Sequence, residues 1–191
     1  PIEVEGECYI RAPFHDKKEA VKYDIVIDPK MSFGTGHHET TYLMVKRLLL
    51  LDVAGLRVLD MGCGTAVLAI LAKLKKANYI EAIDIDEWAF NNSIENIRNN
   101  NCDEIVVKKG GAELLSKNSF DIVLANINRN ILLNDMSHYV NSLNKGGELL
   151  LSGFFKSDVD ILTQEAVKNN LSLTFTESKN DWTILHFTKN D

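Results

Sequence analysis

Apolar residues recur along this chain in two rhythms: short apolar runs bounded by turn residues, and longer stretches with apolar positions three and four apart. The first is the pattern of a covered strand, the second that of a helix packed on one face. Glu7 to Arg11 and Tyr23 to Ile27 are short strand patterns around a polar loop containing Pro13 and His15, which predicts a hairpin-like preface. Asp28 to Gly36 is a loop by its proline and glycines. Thr40 to Leu51, with Leu43, Val45, Leu48 and Leu49 among its apolar positions, predicts a helix lying on a sheet.

From Arg57 onward strand and helix alternate. Strands are predicted at Arg57 to Leu59, Tyr79 to Ile85, Glu104 to Val107, Phe120 to Ala125 and Glu148 to Leu151. Helices are predicted at Val67 to Lys75, Glu87 to Arg98 and Ile131 to Leu143, and a last one near Asp158 to Asn169. This alternation predicts an α/β fold with a mostly parallel sheet, because parallel neighbours need crossover helices and doubly covered strands read as apolar runs such as Ile122 to Ala125. The last two strand patterns, Leu171 to Glu177 and Trp182 to Thr188, are joined by the short polar turn Ser178 to Asp181. So short a link predicts an antiparallel pair at the end of the sheet.

With 191 residues, 45% hydrophobic and 25% charged, the chain has the size and composition of one compact domain rather than of a disordered or collagen-like polymer. A net charge of −6 argues against a broad electrostatic grip on nucleic acid. Cys8, Cys63 and Cys102 are odd in number and have no C-x-x-C spacing, which predicts a reducing, cytoplasmic setting without disulfides or structural zinc. No apolar run approaches the roughly 18 residues of a membrane span, and no signal peptide is evident. The first residue is Pro1 rather than Met, which suits a segment of a longer protein.

The candidate chemistry sits in Arg57 to Ala66, a strand that ends in Asp60 and the glycine turn Gly62-Cys63-Gly64. A second strand ends in Asp84, placed to accept hydrogen bonds from ribose hydroxyls. A dinucleotide fingerprint requires a third glycine where Val67 stands, and a phosphate loop requires a lysine that is missing after Gly64. What remains is an acid and two glycines at one strand tip and an acid at the next, which suits S-adenosylmethionine, with its α-ammonium and its ribose. A plainer reading makes Gly62 and Gly64 a tight turn and Asp60 a cap for the next helix. Asp84 in register favours the cofactor. Asp86 is assigned to capping the helix that begins at Glu87.

Three segments carry a resemblance: Asp28 to Thr41, which includes F-G-T-G-H-H-E-T-T; Val58 to Thr65; and Asp121 to Ile127. Together they closely resemble the ribosomal protein L11 methyltransferases, and the match runs from Ile10 nearly to the end. The resemblance implies a Rossmann-like class I methyltransferase with a seven-stranded, mostly parallel sheet. It implies S-adenosyl-L-methionine as cofactor, S-adenosyl-L-homocysteine as product, and amino groups of a large-subunit ribosomal protein as acceptors, with no nucleic acid or membrane as partner. By motif, Thr41, Gly62, Asp84 and Asn126 correspond to the family's cofactor positions; Asp60, Gly64 and Phe33 join them as candidate contacts. Thr41, near a helix start, is expected to meet the methionine carboxylate. Asn126, at a strand tip, is expected to orient the attacking amine with its amide oxygen and is the catalytic candidate. The alternatives are another class I methyltransferase acting on a small molecule or RNA, or a cofactor-binding fragment inactive without a docking domain.

Residues 1–38 are expected to form the preface and a cofactor-covering loop, and 39–191 the catalytic core. The family's small substrate-docking domain has no room in a chain of this length. Ala66 stands where many relatives have glycine, and Asn128-Arg129 departs from the family pattern on the lip beside Asn126. His37, His38 and Glu39 are consecutive and diverge, so no metal is expected from them. His37 is the spare candidate for a general base, with bulk water as the other. Trp88 and Phe90 read as packing residues, and Trp182 as a strand residue.

Overall fold

The computed structural model describes residues 1–30 and 39–191. The loop residues Phe33 and His37 therefore lie outside the described residues. Strands β4 (Arg57–Met61), β5 (Tyr79–Asp84), β6 (Val106–Lys109), β7 (Phe120–Asn126), β8 (Leu143–Phe155), β9 (Leu171–Lys179) and β10 (Trp182–Lys189) form one sheet, in the order β6-β5-β4-β7-β8-β10-β9. Strands β4 to β8 are parallel, and β10 runs antiparallel to both β8 and β9. From β4 the chain winds outward to β5 and β6, then returns to β7 on the other side of β4. The crevice beyond the carboxyl ends of β4 and β7 is thus the switch point, where ligands of such sheets bind.

Helices α1 (Glu39–Leu50), α2 (Val67–Leu74) and α3 (Glu87–Asn99) cover one face. Helices α4 (Arg129–Ser142) and α5 (Val159–Lys168) cover the other. Strand parity sorts the core between them: in β7, Ile122 and Leu124 join the first cluster, while Val123 and Ala125 join the second. In β4, Val58 joins the first and Leu59 and Met61 the second.

The N-terminal segment differs from a hairpin of the two predicted strands. Strand β2 (Cys8–Arg11) pairs in parallel with β3 (Tyr23–Val26). The antiparallel partner of β2 is β1 (Ile2–Val4), reached through Glu5 and Gly6, both with positive φ. This small sheet adds Val4, Ile10 and Ile25, and the residue after it Ile27, to the core around α1 and α2, so α2 has sheet on both sides. That explains why Val67, Leu68, Ala69, Ile70, Leu71 and Ala72 are all buried, with no polar stripe.

Trp88 differs from the packing role read for it: its side chain is 72% exposed on the first turn of α3. Asp86 caps that helix as expected, accepting from the Ala89 N–H at 2.9 Å.

Gly153, in β8, has φ +98, and a Cβ there would lie 2.3 Å from the Ile127 carbonyl oxygen. Gly55 also has positive φ, +76, but its Cβ would meet nothing. Gly55→Ala is expected to cost about 1–2 kcal/mol for the left-handed backbone alone, and Gly153→Ala about 1–3 kcal/mol more for the clash. Urea denaturation of the two variants measures the difference; equal losses would show that the β7–β8 approach is not tight.

Candidate functional site

Parity places the polar strand tips. Counting by twos from core residues on the α1–α3 face, Val58 leads to Asp60, Ile80 and Ala82 to Asp84, and Ile122 and Leu124 to Asn126. All three therefore point to one face of the sheet at its carboxyl end.

Asp60 is 2% exposed, and its Oδ2 accepts from the Ala69 N–H in the first turn of α2 at 3.0 Å. The helix-capping contact foreseen as the plainer alternative is thus made, and it satisfies an amide that has no partner within its own helix. Burial pushes the Asp60 carboxyl up to about 8, with the Ala69 hydrogen bond opposing and nearby Asp84 adding to the rise. Asp84 is half-buried; its Oδ2 accepts from the Gly64 N–H at 2.9 Å and its Oδ1 from the Asp86 N–H at 2.9 Å. The second acid therefore grips the glycine turn at the first strand's tip. Gly62 and Gly64, at φ +65 and +55, are half-exposed between buried Met61, Cys63 and Thr65, so the turn offers bare backbone outward.

A Cβ on Gly62 would stand 2.4 Å from Ile127 Cγ2. Ile127 is thus packed between Gly62, in the turn just past β4, and Gly153 of β8, a constraint that no spacing in the sequence announces. Ala66 caps the start of α2 in the left-handed conformation, φ 64, with its methyl fully buried. Alanine accepts there a backbone that glycine adopts freely, at about 1 kcal/mol.

On the other side of the crevice, Asn126 Nδ2 donates to Thr41 Oγ1 at 3.3 Å. Thr41 is 1% exposed and Asn126 is half-buried. With its amide hydrogen committed to Thr41, Asn126 keeps Oδ1 as an acceptor. Helix α1, which carries Thr41, is anchored further along: Arg47 Nε donates to His186 Nδ1 at 2.9 Å and its guanidinium lies 4.0 Å over the Phe175 ring. Because Nδ1 accepts, the His186 proton sits on Nε2 and is donated to Glu148 at 2.8 Å, which holds that carboxyl below its ordinary range.

Asn128 caps α4 by accepting from the Ile131 N–H, and Arg129 pairs with Asp158, so both departures on the lip have local partners. Past Ser152, the partner of Asn126 in β8, Phe155 stacks on Trp182 with centroids 4.2 Å apart, an aromatic edge at the same end of the sheet. Among the described residues no group of His, Cys, Asp or Glu is placed to hold a metal ion.

The family model for ribosomal protein L11 methyltransferase (PrmA) matches residues 1–190. The chain belongs to the ribosomal protein L11 methyltransferase family. The ribosomal protein L11 methyltransferase of Porphyromonas gingivalis is 51% identical over 98% of this chain and 65% of its own length. That of Bacteroides thetaiotaomicron is 49% identical over 98% and 68%. The chain thus spans about two thirds of the length of the curated relatives it matches. A solved ribosomal protein L11 methylase from Lactobacillus delbrueckii subsp. bulgaricus superposes with TM-score 0.91 at 25% identity, covering 100% of this chain and 97% of that one. A magnesium protoporphyrin IX methyltransferase from Synechocystis, solved with bound S-adenosylmethionine, shares the fold at TM-score 0.66 and 19% identity over 81% of this chain and 80% of that one. The fold is that of the class I methyltransferases, with the seven-stranded sheet and antiparallel end expected.

The raised Asp60 carboxyl carries a pH signature. An unfolded aspartate titrates near about 3.9, so between that pH and about 8 the folded chain holds a proton that the unfolded chain has released. This contribution to stability is full below about pH 4 and is lost as pH rises through about 8. Asp60→Asn, neutral at every pH and still able to accept from Ala69, is expected to flatten the decline in urea midpoints from pH 5 to pH 9. Parallel curves for the two proteins would place the Asp60 carboxyl at an ordinary value.

Proposed function

We propose that this chain binds S-adenosylmethionine and transfers its methyl group to amino groups, lysine side chains or the N-terminus, of ribosomal protein L11. The observation that carries the reading is the joined pair of strand tips: a half-exposed Asp84 carboxylate locked to the Gly64 N–H, facing Asn126 across the switch point. The residues present fit the cofactor. Asp84 retains lone pairs for ribose hydroxyls while its backbone bonds fix its direction, and the bare turn at Gly62 and Gly64 admits close approach of a nucleoside. Asp60, almost fully buried, serves from beneath: it holds α2 to the turn through the Ala69 N–H.

When bound, the cofactor supplies an activated sulfonium methyl. The protein's task is alignment and exclusion of water, a positioning effect that contributes roughly 7–11 kcal/mol in well-oriented reactions. Asn126 Oδ1 accepts from the incoming amine, and Thr41 serves by fixing the amide so that Oδ1 faces outward. A lysine amine, near about 10.4 when unperturbed, gives up a proton before it attacks; we assign that proton to solvent, with His37 as the side chain to test. Phe33 is retained as a cover for the cofactor. The acceptor is a protein rather than nucleic acid or membrane, a choice supported by the net charge of −6. Three free, buried thiols support a reducing cytoplasm.

Calorimetric titration with S-adenosylmethionine is expected to show one site, weakened at least tenfold by Asp84→Ala. No binding, or undiminished binding by the variant, would overturn the site. In the full-length enzyme, Thr41→Val is expected to lower kcat about fivefold with the cofactor Kd little changed, since a single neutral hydrogen bond is worth about 1 kcal/mol. Methyl incorporation into ribosomal protein L11, followed by mass spectrometry, gives the rate; an unaltered kcat would remove Thr41 from the positioning of Asn126.

A further inference from the structure

Helix α3 and its C-cap residue present Asn92, Asn96 and Asn100 four residues apart. Four residues of helix rise about 6 Å, close to the roughly 6.6 Å that two residues of strand advance. One such step is taken along the free edge of β3 and the residues after it: Asn100 meets Val26 and Asn96 meets Asp28, which Asn92 also holds. Asn100 Oδ1 accepts from the Val26 N–H at 2.8 Å and its Nδ2 donates to the Val26 carbonyl at 2.7 Å. Asn96 Oδ1 accepts from the Asp28 N–H at 2.9 Å, and Asn92 Nδ2 donates to the Asp28 carbonyl at 2.9 Å. The side chains of one helix thus replace the neighbouring strand that β3 lacks on this edge.

Asn96 does something further. Its side chain is fully buried, and its Nδ2 also donates to the Thr65 carbonyl at 3.2 Å, at the end of the glycine turn. The turn is thus held from the sheet side by Asp84 and from the helix side by α3.

We propose that Asn96 is a positioning residue for the cofactor: by holding the Thr65 carbonyl it sets the path of Gly62 to Thr65 and ties that path to the chain at Asp28. The inference rests on the reading of this turn as the cofactor cradle. Asn100 grips Val26 with two bonds and donates to the Asn96 carbonyl within its own helix at 2.7 Å, without touching the turn, which makes it the control for a purely structural role.

The test compares Asn96→Ala, Asn96→Asp and Asn100→Ala with the unsubstituted chain by urea denaturation and by calorimetric titration with S-adenosylmethionine. Asn96→Asp keeps an acceptor for the Asp28 N–H but has no amide hydrogen for Thr65. Both Asn96 variants are expected to bind the cofactor about tenfold more weakly, the worth of one well-placed buried hydrogen bond. Asn100→Ala is expected to lose stability comparable to Asn96→Ala while its affinity stays within twofold of the parent. Amide exchange at Gly64 and Thr65, measured without cofactor, is expected to quicken in the Asn96 variants alone. Equal affinities for Asn96→Asp and the parent, or equal weakening by Asn96→Ala and Asn100→Ala, would overturn the proposal. Failure of the unsubstituted chain to bind would instead contradict the proposed function, and this inference with it, whereas the exchange measurement stands apart from cofactor binding.

Discussion

A strand covered on both faces must send alternate side chains to opposite cores, and that two-residue period organises everything at the carboxyl edge of this sheet. Because Val58, Ala82 and Leu124 are buried under α1, α2 and α3, the residues two steps on, Asp60, Asp84 and Asn126, must emerge beneath the N-termini and loops of those same helices. A one-residue slip in any of the three strands would turn its polar tip toward α4 and α5. The hydrophobic core therefore sets the register of the site, and the site needs no separate device to align its three strands.

The three tips, delivered to one face, have different neighbours and different fates. Asp60 is enclosed under α2 and its carboxyl is driven toward the neutral form. Asp84 stays at the surface, its direction fixed by two backbone N–H groups. Asn126 is steadied by a buried threonine hydroxyl. One carboxyl is thereby a structural support beneath α2 and the other stays open to the crevice, a division set by solvent access rather than by residue type.

Much of this was legible in the sequence, for a local reason. The apolar runs ending in Asp60, Asp84 and Asn126 are strand signals, and the glycines at 62 and 64 are where a chain leaving a strand must turn back under a helix. The parallel sheet with an antiparallel end follows from the long crossovers and the short final turn. The small sheet at the N-terminus was not legible in the same way, because the parallel pairing of β2 and β3 and the entry of β1 depend on packing against α1 and α2.

Contacts between distant segments were the hardest to foresee. Asn92, Asn96 and Asn100 look like polar surface residues of an amphipathic helix until β3 is laid along them. The Arg47–His186–Glu148 chain joins positions far apart in sequence, and the exposure of Trp88 reverses the ordinary expectation for its type. We propose that shared strand parity makes one cofactor site from the three separate tips. A crystal structure of the chain grown with S-adenosylhomocysteine tests it most directly. The expected result is ribose hydroxyls on the Asp84 carboxylate, the nucleoside over Gly62 to Gly64, and the sulfur end turned toward Asn126; a nucleoside bound away from these three strand tips would contradict the proposal.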